Sequence, residues 1–204
     1  MTRWIAATAL LITVAGCGVT STRRAVDTAA ILGSLASQLG GAAERTYTAG
    51  YSTAGAGPVT VVHRPTGTAY LTAGESRFIV TDDHLIRCAA TCYRAPNRHA
   101  DLGADPGFPT PEWVQGYLAA AAFGPRARAK LSERTIGGQE ATCADVTGTA
   151  EGFTVCVTGS GDLASFRGTA GTVELIRVTG TADPAAFATP PGIPVVDVPS
   201  LPPR

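Results

Sequence analysis

The chain has 204 residues, sixteen of them basic and sixteen acidic, so its formal net charge is zero. Nucleic-acid binding draws on a surplus of Lys and Arg to neutralise phosphates, and that partner class is excluded first. With 45% hydrophobic and 16% charged residues, the chain is too apolar for wholesale disorder and long enough for one core, hardly for two. Among the basic residues Lys130 alone is lysine. With the abundance of Ala, Gly and Pro, this looks like the codon bias of a GC-rich genome.

Residues 1–16 begin with Arg3, continue as an apolar run from Trp4 to Val14, and end on Ala15 and Gly16. That layout is an export signal. It is too short to span a membrane, which takes about 20 apolar residues. Val14-Ala15-Gly16-Cys17 resembles a bacterial lipobox, in which the cysteine receives a diacylglyceryl group before the signal is cut away. The resemblance implies that Cys17 becomes the lipidated first residue, carrying palmitate-class chains. Two chains on one residue suffice for stable attachment. The expected address is therefore the extracytoplasmic face of the cell membrane, anchored and not spanning, with residues 17–24 as tether. Parity agrees, because five cysteines leave one unpaired in an exported protein.

From Ala25 to Leu39, Ile31, Leu35 and Leu39 recur every fourth residue beside Leu32 and Ala36, the pattern of an amphipathic helix ended by Gly40-Gly41. From Thr46 the period becomes two. Strands are expected at 46–53, 58–64, 67–73, 76–82 and 84–88, separated by glycine, proline and aspartate turns, which predicts an antiparallel meander. Residues 95–109 read as loop. Thr110-Pro111-Glu112 then opens a second helix, with a cap, a first-turn proline and a favourable acid, and it ends at Gly124-Pro125. Strands return from Arg134 to Gly180. Six prolines after Thr189 predict an extended tail over 191–204 with no core role. A single domain over 25–190 is expected.

Four exported cysteines allow three connectivities. A two-residue turn at Thr149-Ala150 places Cys143 opposite Cys156, and Val146 opposite Phe153. The same register sets Ala144, Val146, Phe153 and Val155 on one face and Cys143, Asp145, Thr154 and Cys156 on the other, apolar against polar. Cys88 and Cys92 flank a three-residue loop that brings them to bridging distance. In the chain-entropy picture these bridges contribute about 3 and about 2 kcal/mol.

Catalytic signatures are missing: no Gly-x-Ser-x-Gly, P-loop, His-Glu-x-x-His or Ser-x-x-Lys pattern occurs. Three residues separate Cys88 from Cys92 where a redox motif has two, and zinc-ligand spacings are absent around His84 and His99. His63 and His84 read as exposed hairpin positions, Asp82 and Asp83 as turn residues, and Glu133, Glu140, Asp145 and Glu151 as solvated acids. No enzyme activity, cofactor or metal is expected. On the second helix Trp113, Tyr117 and Ala120 share a stripe. Either it packs onto the sheet, or the helix covers an apolar space for a lipid chain lined by Trp113, Tyr117 and Ala121.

The order helix, five-strand meander, loop, helix and further strands behind a lipobox resembles the LolA-like half-barrel lipoproteins. That group includes the LolA and LolB carriers, the RseB-type regulators and the LppX and LprG lipid carriers. The Cys-x-x-x-Cys hairpin, the Cys143-to-Cys156 hairpin with Gly161-Asp162-Leu163, and Asp183-Pro184-Ala185-Ala186-Phe187 resemble uncharacterised actinobacterial lipoproteins. The resemblance implies an α+β fold in which a bent antiparallel sheet is covered by helices. The first functional expectation is non-catalytic binding of a lipid or acyl chain between sheet and helices. The second is a closed-core, RseB-like regulatory lipoprotein that contacts an envelope partner through an open strand edge or the proline-rich tail.

Overall fold

Polar residues without glycine or proline do not stop a helix, and helix α1 runs over Val19–Gly41, taking in most of the stretch expected as tether. The computed structural model describes residues 19–55, 57–72, 76–97 and 107–201. The expected signal segment, Cys17 and His99 lie outside the described residues. Leu32, Leu35, Ala36 and Leu39 are buried along one face of α1, as their spacing predicts.

A 3-10 turn at Ala42–Glu44 leads into β1 (Tyr47–Thr53), β2 (Gly57–Arg64), β3 (Gly67–Thr72), β4 (Arg77–Thr81), β5 (His84–Cys88) and β6 (Cys92–Pro96). Helix α2 (Pro111–Ala122) follows, then β7 (Arg128–Ile136), β8 (Gln139–Thr147), β9 (Phe153–Thr158), β10 (Leu163–Gly168) and β11 (Gly171–Thr179). A 3-10 turn at Pro184–Phe187 precedes the short β12 (Val195–Asp197). Among the described residues, twelve strands form one sheet in the order β12-β6-β5-β4-β3-β2-β1-β11-β10-β9-β8-β7. It is a large, bent, unclosed sheet with helices on one face, the α+β architecture expected. Each of these pairings is antiparallel except β12 on β6.

The two halves of the chain meet where β1 pairs with β11, with a register shift at Gly50/Tyr51. In the C-terminal half the bend is strong. A Cβ at Gly137, in the β7–β8 turn, would stand 2.9 Å from the Leu175 carbonyl oxygen of β11.

The Cys143 register forms as predicted, with Cys143 opposite Cys156 and Val146 opposite Phe153. The turn does not: β8–β9 pairing stops at Val146 and Phe153, and residues 148–152 make a longer connection. Cys143 and Cys156 are also not on a solvated face. They are buried with Ala141 and Ala164 in a small cluster that Ile136 flanks. Asp145 accepts a 2.8 Å hydrogen bond from Thr154. On the same side of the N-terminal half, Val62, Ala69 and Ile79 are covered by Ala186 of the second 3-10 turn. Asp183 caps that turn by accepting from the Ala185 N–H at 2.9 Å.

Strand β7 begins at Arg128, six residues before the expected start. Its alternation of Arg or Lys with Ala and Leu has period two, but alanine is a faint apolar signal. The other face carries the main core, built from α1, α2 and the inward residues of both halves. The end of α1 is seated on the β9–β10 turn. Gly161 has φ 88°, and a Cβ there would lie 2.3 Å from the Gln38 carbonyl oxygen. Beside it the Asp162 carboxylate, 1% exposed, pairs with Arg45 at 2.7 Å. It also accepts from Ser160 at 2.6 Å.

Gly161→Ala therefore combines left-handed backbone with a clash against α1. The expected loss is about 1–3 kcal/mol. Gly33→Ala, in an exposed turn of α1 with open space around it, gains about 1 kcal/mol. Chemical denaturation of the two variants measures both, and equal midpoints would refute this seating of α1.

Candidate functional site

Helix α2 is placed by two local devices and one tertiary bond. Thr110 Oγ1 accepts from the Trp113 N–H at 3.2 Å. Pro111 fits the first turn, where its missing donor has no intrahelical acceptor. Glu112 receives the Tyr70 hydroxyl at 2.7 Å, tying the helix start to β3. The buried face of α2 is Pro111, Val114, Leu118 and Ala121, one position round from the stripe read in the sequence. Ala120 is exposed.

Trp113 and Tyr117 stand at the margin of that face. Trp113 is 42% exposed and stacks on Tyr117 with centroids 4.8 Å apart. It also meets Phe166 edge-on at 5.5 Å. Tyr117 meets Phe153 at 4.8 Å, and Phe153 stacks on Phe166 at 5.8 Å. The rings close the gap between α2 and strands β9 and β10. Towards β3 and β4, Tyr70 packs on Phe78 at 6.0 Å and edge-on to Phe108 at 5.7 Å. The three residues singled out for ligand contact thus sit on one helix, Ala121 inside the core and the two aromatics against Phe153 and Phe166. Phe153 and Phe166 were legible only as strand residues.

Between the helices and β1–β3 stands a group of tyrosines. Burial lifts the Tyr47, Tyr51 and Tyr70 phenols well above their ordinary value, and the Glu112 carboxylate adds to each. The Tyr51 hydroxyl is wholly enclosed and has no hydrogen-bond partner among the described residues. His63 is not the exposed hairpin residue expected. It is buried, with Nδ1 2.8 Å from Thr68 Oγ1 and Nε2 3.0 Å from the Ala43 carbonyl oxygen. The ring stacks on Tyr47 at 5.1 Å. His84, Asp82 and Asp83 are exposed at the β4–β5 turn, and Glu133, Glu140 and Glu151 are exposed as well.

Cys88 and Cys92 form a disulfide across the β5–β6 hairpin, and Cys143 and Cys156 form one across β8 and β9. The proline-rich tail departs from expectation. Its central residues pair with β6 as β12, and Leu201 packs against the main core.

No protein-family model matches this chain, and no curated protein sequence matches it. Among solved structures, MucB is similar with a TM-score of 0.53 and 11% identity, over 79% of this chain and 64% of MucB. The chain thus spans just under two thirds of MucB's length. An uncharacterized conserved protein from Thermus thermophilus is similar with a TM-score of 0.49 and 8% identity, over 88% of this chain and 100% of that one. The likeness to MucB shows a LolA-like fold.

Phe166→Ala should lower unfolding free energy by about 3–5 kcal/mol. In a chain lacking residues 1–16, Trp113 is the sole tryptophan, so its emission should shift to the red in the same variant. Unchanged emission and midpoint would show that these rings do not close the face.

Proposed function

We propose that this protein is a membrane-anchored extracytoplasmic lipoprotein that works by contact with an envelope protein, its half-barrel closed by its own side chains and no reaction catalysed. One observation carries the closed-core reading: among the described residues, the face under the helices is filled by packed side chains. Val114 and Leu118 are fully enclosed, and the rings of Trp113, Tyr117, Phe153 and Phe166 fill the margin of α2. Admitting an acyl chain there would require α2 to lift and break the Tyr70–Glu112 hydrogen bond. The anchor rests on Val14-Ala15-Gly16-Cys17 and on the apolar run before it. Fold alone does not fix function, so the LolA-like architecture supports the reading without selecting the partner.

A second reading has its own observation. A buried hydroxyl without a partner is costly, and Tyr51 Oη is one among the described residues. A hydrophobic ligand with one polar group would satisfy it, in which case Trp113, Tyr117 and Ala121 line the path of entry.

Native mass spectrometry on the mature chain, with organic extraction, separates the two. The expected result is a mass equal to the chain and its anchor. Co-purified lipid released at fixed stoichiometry would overturn the closed-core reading. Ala121→Trp sharpens the test: on the first reading overpacking costs about 1–3 kcal/mol with no change in bound lipid, and on the second it lowers the lipid load.

A further inference from the structure

The C-terminal segment wraps around one end of the sheet. Ala186 and Phe187 pack on the face opposite the helices, and Arg64 lies over the Phe187 ring at 4.0 Å. Arg77 holds the same segment by donating to the carbonyl oxygens of Ala185 at 3.0 Å and Ala188 at 2.9 Å. The chain then crosses the sheet edge as β12, and Leu201 returns to the helix-covered core. Beside the firm attachment at Ala186, the crossing itself is slight. β12 has three residues, all exposed, and its pairing with β6 is parallel.

What holds β12 is specific nonetheless. The Cys92 N–H donates to the Pro194 carbonyl oxygen, and the Val198 N–H to the Arg94 carbonyl oxygen, both at 2.9 Å. Arg94 grips Asp197 with a two-pronged fork, Nε to Oδ1 at 2.6 Å and Nη2 to Oδ2 at 2.9 Å. Pro194 and Pro199 bracket the strand. Val195 and Val196 present apolar side chains to solvent, and a cavity of about 330 Å³ lined by His84, Arg94, Ala95, Pro96, Asp197 and Val198 lies alongside. The pair is exposed, so salt screens it, and its forked geometry gives it direction. A short, exposed strand is thus held at the sheet edge by main-chain bonds at its two ends and one forked ion pair.

We infer that the outer edge of β6 is a docking site for an extended segment of a partner protein, and that residues Pro194–Val198 occupy it in cis until that segment displaces them. The resident defines the partner's chemistry: an extended run with an acid that Arg94 can fork, adding to the sheet by main-chain hydrogen bonds. The inference rests on the contact reading of the protein and names where the contact is made. Removal of β12 leaves Ala186 and Phe187 in place, so the sheet keeps its cover while the edge is bared.

The test uses the mature chain and a labelled peptide of residues 192–201 as probe, followed by fluorescence anisotropy. The double substitution Asp197→Arg and Val198→Pro removes both the carboxylate and the Val198 donor, and so frees the edge. Hydrogen exchange at the Cys92 amide verifies the release. The freed variant should bind the peptide at least about tenfold more tightly than the natural chain, because its competent state is no longer masked. Adding Arg94→Asp should abolish that gain. An exchanged-charge variant, Arg94→Asp with Asp197→Arg, should restore the masking. No peptide binding by a freed and folded variant, or equal binding by the natural chain, would overturn the inference. A freed variant that dimerises by exchanging tails would overturn it too, in favour of a second copy as occupant. Peptide exchange is read without any lipid measurement, so its failure leaves the closed-core reading standing, and lipid found in the core leaves the edge result standing.

Discussion

The structure depends on how the inner face of a wide, open sheet is kept from water. Apolar area left exposed forfeits about 25 cal/mol per Å², and α2 is only twelve residues long. Large rings make up the difference. Tyr70, Phe78 and Phe108 fill the side of the meander, and Phe153 and Phe166 the side of the later strands, with Trp113 and Tyr117 bridging from the helix. Rings of fixed thickness demand helices at fixed height. That is why the cap at Thr110, the Tyr70 bond to Glu112 and the seating of α1 on Gly161 belong to one arrangement. The core is a set of spacers held between the sheet and two anchored helices.

What was legible in the sequence is what is decided within a short stretch of chain. The Cys143 and Cys156 register follows from pattern and spacing over a dozen residues, and the Thr110 cap from three. The failures come from partners distant in sequence. His63 stands beside a turn and looks exposed, but the Ala43 carbonyl and the Tyr47 ring enclose it. Cys143 and Cys156 lie on the face that alternation marks as polar, yet the curl of the β7–β8 hairpin buries them. On α2, Trp113 and Tyr117 share a four-residue spacing with Val114 and Leu118. Periodicity cannot choose between adjacent stripes, and the smaller residues went inward because the aromatics fit the margin. In the tail, proline removes a donor only at its own nitrogen. Val195, Val196 and Asp197 lie between two prolines and keep theirs.

The two faces of the sheet serve different ends. The helix-covered face provides one continuous core, while the opposite face is covered in patches, by the tail over Val62, Ala69 and Ile79 and by the hairpin curl over the Cys143 bridge. With each face covered in this way, the open backbone of the sheet lies at its rims. Open edges invite unwanted pairing, and the two rims here are treated differently. The β7 rim bears Arg128, Lys130 and Arg134, charges of the kind that discourage association. The β6 rim bears a strand of the chain itself.

Both disulfides link neighbouring strands, and neither reaches across β1 and β11. Each bridge can close as soon as its own hairpin exists, so oxidation needs no long search and leaves few wrong partners. The seam is different. Thr48 must find Thr179, and the loop closed by that pairing contains nearly the whole fold. Long-range pairing of this kind is entropically slow. The topology therefore sets an order: the first half is a stapled meander awaiting its other edge, and the domain becomes a single cooperative unit only after β11 has zipped against the first strand.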